Sequence, residues 1–146
     1  MIKNYKKGFT LIELLVVIAI IGILASVVLI STSKTRAQGA DASIKSNLAT
    51  IKLQAEMLNN SKGCFSDDCS TPVNTPCDDT VDPLAAKAYA SALKSSGNSA
   101  NAACTISSDA SSFAVSVPLK SDNTQSWCVD SEGWSDVGTA AAGVCS

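Results

Sequence analysis

The stretch KKGFTLIELLVVIAIIG (Lys6–Gly22) decides how this chain is read. Two lysines and a glycine precede a run of apolar side chains, and one carboxylate, Glu13, stands inside that run. From Phe9 to Ile30 the chain has 22 residues and a single charge. As a helix this segment would extend about 33 Å, enough to cross a hydrocarbon core of about 30 Å. A cleaved secretory signal normally has a shorter apolar core and a small-residue cut site after it. Here the apolar run is long and no cut is marked behind it, so it reads as retained. Lys3, Lys6 and Lys7 lie before the span with no acid among them, which places the amino end in the cytoplasm by the positive-inside rule.

Downstream of the span the pattern changes without breaking. Ala37, Ala40, Ile44, Leu48, Ile51, Ala55 and Leu58 recur at steps of three and four, one apolar stripe of an amphipathic helix. Lys45, Asn47, Lys52 and Glu56 fall off the stripe, and Gly63 is a stop in the C′ position. One helix is therefore expected from about Phe9 to Ser61, with weak points at Ser31–Thr35 or Gly39. A cysteine- and Asp-rich loop follows to Asp82. Asp82-Pro83 then gives an N-cap and a proline in the first turn of a second helix, carried to Gly97. Next the period drops to two. Phe113, Val115, Val117 and Leu119 point one way, with Ser112, Ala114 and Ser116 the other. A second strand is expected around Ser126–Asp130, with Trp127 and Val129 on one face, and a third around Trp134–Val137. The expected fold is α+β. A long N-terminal helix lays its outer half on the one apolar face of a small antiparallel sheet, each covering the other.

Six cysteines, Cys64, Cys69, Cys77, Cys104, Cys128 and Cys145, lie in the polar region, and none lies in the apolar span. An even count in a small loop-rich domain reads as a disulfide framework in an oxidising compartment. Six cysteines allow fifteen pairings. Cys104–Cys128 is expected to pin the segment before the first strand to the second strand, and the order of the other four stays open. A thiolate metal site is disfavoured, since only Cys64 and Cys69 are closely spaced, there is no CxxC and the chain has no histidine.

Composition excludes several functions. Behind Gly8 there are eight basic and thirteen acidic side chains, which argues against nucleic acid as the main partner. Without histidine, Ser–His and Cys–His nucleophile pairs are impossible, and no cofactor loop is visible. No cofactor, no metal and no enzymatic activity are expected. The acidic groups Asp67, Asp68, Asp78, Asp79 and Asp82, and Asp130, Glu132 and Asp136, lack EF-hand spacing and read as solvated loops rather than calcium sites. Trp127, Trp134 and Tyr89 read as core, and Lys34, Arg36, Lys45 and Lys52 as solubilising charges. Gly22 reads as a glycine simply tolerated in a membrane helix, although with Ser26 it forms a small-xxx-small pair that could permit close helix packing.

The segment KKGFTLIELLVVIAIIGILA resembles the prepilin leader and N-terminal helix of the type IV pilin superfamily, which type II secretion pseudopilins share. The resemblance covers about the first 30 residues; WCVDSEGW (Trp127–Trp134) is also similar to the late strand of some bacterial pilins. It implies a leader at 1–8, a transmembrane and filament-core helix at 9–30, an amphipathic continuation at 31–62 and a globular head at 63–146. It implies that a membrane prepilin peptidase cuts between Gly8 and Phe9 and methylates the new amine of Phe9. The subunit would then pass from membrane lipid, through an inner-membrane assembly machinery, into a helical homo-oligomeric filament on the cell surface. Many pilins carry a proline near the end of the apolar segment; this chain has none there, so any melting of the helix would depend on Gly22 or the Ser/Thr run. A charge in the membrane costs about 2.5–3.5 kcal/mol at mid-bilayer and less at the depth of Glu13, so Glu13 needs a partner. The amine of a neighbour's Phe9 would supply it, making Glu13 a device for assembly and register. The alternatives are a pseudopilin of a secretion or DNA-uptake system, and a membrane-anchored extracellular binding domain that does not polymerise.

Overall fold

A computed structural model describes residues 8–146 of the chain. The basic patch Lys3, Lys6 and Lys7, with the rest of the leader before Gly8, lies outside the described residues. The elements follow in the order α1 (Leu11–Lys62), α2 (Pro83–Ser96), β1 (Ala103–Ile106), β2 (Phe113–Pro118), β3 (Ser126–Asp130), β4 (Ser135–Val137), β5 (Ala140–Ala141) and β6 (Val144–Cys145). Chain contacts divide the molecule into two units, one ending at Arg36 and one beginning at Ala37.

From Leu14 to Val28, in the first unit, α1 is apolar on all sides but for Ser26. Leu11, Ile12, Leu14, Ile18, Ile21 and Leu24 are all exposed. Among the described residues, α1 is long and apolar enough to cross a membrane, its best stretch reaching a mean hydropathy of 3.1 with none of it buried. By length and composition, then, the surface of this unit asks for lipid or for other helices.

In the second unit α1 is amphipathic in the way its sequence period requires. Ile44, Leu48, Ile51 and Ala55 are fully buried. They meet Phe113, Val115 and Val117 of β2, Val129 of β3, Phe65, and the Ala85–Ala88–Ala92 face of α2 in one core. Phe65 and Phe113 pack with their ring planes tilted by 46° and 5.0 Å between centroids. α1 stops at Lys62 because Gly63 takes a left-handed φ of 85°, and its N–H returns to the Asn59 carbonyl at 2.7 Å. α2 begins where Asp82 accepts from the N–H groups of Leu84 and Ala85, and ends at Gly97 in the left-handed region. Lys45 lies with Nζ 3.9 Å above the Trp127 ring rather than only facing solvent, and Trp127 is half-buried against the core.

The sheet runs β1-β2-β3-β4, antiparallel throughout, and β5 pairs with β6 as a separate hairpin. Two differences from the sequence expectation follow. A strand, β1, precedes the first expected one; its register sets Cys104 opposite Val115 and Ile106 opposite Phe113. The sheet is also covered on both faces. Ala114 and Cys128, on the face away from α1, are buried with Ala140 of the tail hairpin, and Ser116 Oγ accepts from Ala140 N at 3.1 Å. The expected single apolar face is therefore corrected: every residue of β2 is buried.

The cysteines form Cys64–Cys69, Cys77–Cys104 and Cys128–Cys145. The expected Cys104–Cys128 bond does not form, for a geometric reason. β2 lies between the strands that carry the two residues, and they project to opposite faces. Cys104 is opposite Val115 on the core face, whereas Cys128 is opposite Ser116 on the tail-hairpin face. Each therefore bonds to the segment that covers its own face.

Candidate functional site

The helix begins at Leu11, so Gly8 and Phe9 stand outside its hydrogen-bonded ladder, and Thr10 joins it through its carbonyl, which accepts from Leu14 N at 3.4 Å. The first N–H groups of any helix lack partners within it. Thr10 and Glu13 supply some of what is missing in a reciprocal arrangement. Glu13 Oε2 accepts from Thr10 N at 2.8 Å and from Thr10 Oγ1 at 2.8 Å, while Thr10 Oγ1 faces Glu13 N at 3.3 Å. This is a capping box, Thr-x-x-Glu, with Thr10 as N-cap and Glu13 in the third helical position. Its carboxylate also stands at the positive end of the helix dipole.

A shallow recess of about 280 Å³ lies there, lined by Gly8, Phe9, Thr10 and Glu13. Phe9 is 92% exposed beside it. Two features thus meet at one place: a backbone bond, Gly8–Phe9, held outside the helix, and the single carboxylate of the apolar segment. The bond lies ahead of the helix, and the carboxylate lines the recess beside it.

Residues 3–29 match the family model of the prokaryotic N-terminal methylation motif. The match supports the resemblance of the front of this chain to the class III signal segment of the type IV pilins and pseudopilins. The match begins within the basic patch and ends inside the apolar helix, so it covers Gly8, Phe9, Thr10 and Glu13 alike. A long N-terminal helix, a small antiparallel sheet and disulfides agree with the pilin fold. The motif points to a structural subunit. No curated protein and no solved structure matches the chain.

The other candidates serve the head's own architecture. Asp68 and Asp78 close turns on Ser70 N and Thr80 N, and Asp67 holds Asn74 Nδ2 and Ser66 Oγ. Asp82 is the α2 cap. Asp130 is 2% exposed; its Oδ1 accepts from Glu132 N and Trp134 N, and its Oδ2 from Cys145 N. Asp136 Oδ1 accepts from Val137 N. Among the described residues no three such side chains come together to hold a metal ion. Trp134, expected in the core, is instead 43% exposed beyond the β3–β4 turn, because β4 is the open edge of the sheet and all three of its residues face solvent. Tyr89 is half-buried on the core.

Thr10 is the capping residue of this site that sequence reading passed over. The signal was present: Thr10 followed three residues later by Glu13, immediately ahead of an apolar run, is the pattern of a helix start.

Proposed function

We propose that this chain is a structural subunit of a type IV pilus. The leader is removed between Gly8 and Phe9 by a prepilin peptidase, and the new Phe9 amine is methylated. The apolar part of α1 holds the subunit in the cytoplasmic membrane, amino end inside, until an assembly machinery extracts it. In the filament these helices bundle, and the amine of one subunit's Phe9 pairs with Glu13 of its neighbour. Pairing neutralises two charges in an apolar bundle, while a shifted register leaves both alone, at a cost well above that of the correct one. The head, with its three disulfides, faces the oxidising exterior.

The observation that carries this reading is the methylation motif at 3–29, on a helix whose apolar surface has no cover of its own. Pseudopilins share the same front end, so the location of the processed chain decides between them. Mass spectrometry of the sheared extracellular fraction is the test. An abundant chain starting at N-methylated Phe9 supports a pilus subunit. A methylated chain confined to the membrane fraction favours a pseudopilin, and a chain still starting at Met1 overturns assembly altogether. For the register mechanism, Glu13→Ala is expected to be cleaved yet nearly absent from filaments; filaments at normal yield would remove it.

A further inference from the structure

We propose that Cys64–Cys69 is an exchangeable disulfide, opened at Cys69 by an external thiol while the rest of the head stays folded. Its two ends stand in different surroundings. Cys64 is 2% exposed, beside the buried Phe65 and Ser66, whereas Cys69 is exposed among Asp67, Asp68 and Ser70, which are exposed too. The other two bonds offer no such entry. Cys128 is fully buried, and Cys77, Cys104 and Cys145 are half-buried against the two faces of the sheet. A thiolate must approach the sulfur that it attacks, so access selects among the bonds. The Cys64–Cys69 ring also spans only 5 positions, against 27 and 17 for the others, so opening it frees the least chain.

The neighbours of the ring have holds of their own. Phe65 N donates to Ala110 O at 3.0 Å, and the Phe65 ring packs on Phe113. Ser66 Oγ donates to Asn74 O at 3.0 Å, which fixes the far end of the loop to the near end. Beyond it Pro76 is buried and Cys77 is tied to Cys104. Loss of the Cys64–Cys69 bond therefore releases only the stretch between Ser66 and Asn74, which carries Asp67, Asp68 and the exposed Val73. In the exchange, the external thiolate forms a bond to Cys69 Sγ as the Cys64–Cys69 bond breaks. The electron pair leaves on Cys64 Sγ, which takes up a proton. A second thiol displaces the first from Cys69, so that two thiols are oxidised to their own disulfide and the pair of cysteines is reduced. From the mixed disulfide the Cys64 thiolate, held in place by Phe65, returns to Cys69 and expels the external thiol, so reclosure needs no oxidant. The bond is thus a redox-sensitive clasp on an acidic loop.

The test gives the full chain, solubilised in detergent with its disulfides intact, a pulse of cysteamine. Iodoacetamide then quenches the reaction, peptides are mapped by mass at acid pH, and near-ultraviolet circular dichroism follows the fold during the pulse. The first product is expected to carry cysteamine on Cys69 and a carbamidomethyl group on Cys64, with the near-ultraviolet signal unchanged. It should form at least about tenfold faster than any adduct on the other four cysteines, because local opening runs ahead of global unfolding. Removing cysteamine before the quench should restore Cys64–Cys69. The paired change Cys64→Ser with Cys69→Ser should abolish the fast adduct and leave the two slower bonds as they were; a fast adduct that survives it overturns the assignment. A first adduct on Cys64, or earlier opening at either other bond, overturns it as well. So do adducts that form only as the near-ultraviolet signal is lost, and a folded chain that takes up no cysteamine.

Discussion

Asp41 ties the outer part of α1 to the sheet. It lies within the head unit, is 9% exposed, and accepts from Lys120 N at 2.6 Å and Ser121 N at 3.2 Å, just past the end of β2. Two backbone donors from the far end of the sequence thus depend on one carboxylate. Asp41→Ala removes both bonds; Lys120 and Ser121 are exposed, so water can reach their N–H groups, and the cost is that of two lost hydrogen bonds, about 1–3 kcal/mol together. Thermal unfolding of the head should therefore move down by about 5–10 °C, read by near-ultraviolet circular dichroism of the detergent-solubilised chain. A second residue-scale effect concerns pH. Asp109 is held at about 2 against an ordinary 3.8, first by the Ser107 hydroxyl and then by the Ser111 hydroxyl and N–H. Asp67, Asp68, Asp78 and Asp122 are lowered by hydrogen bonds of the same sort. Carboxylates depressed in the folded state add stability above their unfolded value and lose it as pH falls through the folded one. Head stability should therefore be flat from neutral pH down to about 4 and fall between about 4 and 2. Melting curves across that range check it, and Asp109→Asn should remove part of the slope.

At the scale of elements, the tail hairpin β5–β6 makes the sharpest demand on one residue. Gly143 turns it at φ 83°, and a side chain there would meet Ser107 N at 2.6 Å, Ser112 Oγ at 2.6 Å and Ser112 O at 2.7 Å. Two of those three atoms are backbone, so nothing can step aside. Gly143→Ala should destabilise the head by about 2 kcal/mol or more, through both the left-handed backbone and the overlap. Denaturant unfolding measures it; a loss below about 0.5 kcal/mol would show that the hairpin relaxes. The elements differed in how far sequence revealed them, and the reasons are physical. α1 and α2 announced themselves because a stripe at steps of three and four and an Asp-Pro start followed by Gly97 are local signals. β2 and β3 were legible by alternation. β1, four half-buried residues reading ACTI, carries no alternation of hydrophobic against polar, and the two-residue strands of the tail carry no period at all. Only pairing with β2 and burial beneath the sheet define them. Ser112, Ala114 and Ser116 looked like a wet face because small residues suit solvent and close packing equally. At the front end Glu13 was legible as an anomaly, whereas Thr10 was not, since a threonine beside an apolar run attracts no notice until its hydrogen bonds are seen.

For the whole molecule, stability rests on how disulfides fasten covers to a thin sheet. Cys77–Cys104 ties the loop ahead of α2 to β1 across 27 positions, Cys128–Cys145 ties the tail to β3 across 17, and Cys64–Cys69 closes a loop of 5 beside the end of α1. Chain entropy alone ranks their contributions in that order, about 3.5, 3 and 2 kcal/mol. Architecture changes the ranking at one place. Releasing the tail does more than lengthen the unfolded chain, because the tail covers Ala114 and Cys128, and the buried Asp130 holds Cys145 N. Without the covalent tie the hairpin can leave, exposing one face of β2 and leaving Asp130 Oδ2 without the donor it had. The paired change Cys128→Ser with Cys145→Ser should therefore cost at least as much as Cys77→Ser with Cys104→Ser, despite the shorter loop. It alone should also make the amides of β5 and β6 exchange rapidly while those of α1 from Ile44 to Leu58 stay protected. Hydrogen exchange with unfolding curves on the three double variants decides the matter. Losses that follow loop length, with the tail still protected, would mean that the hairpin holds by packing and that the bond adds only entropy.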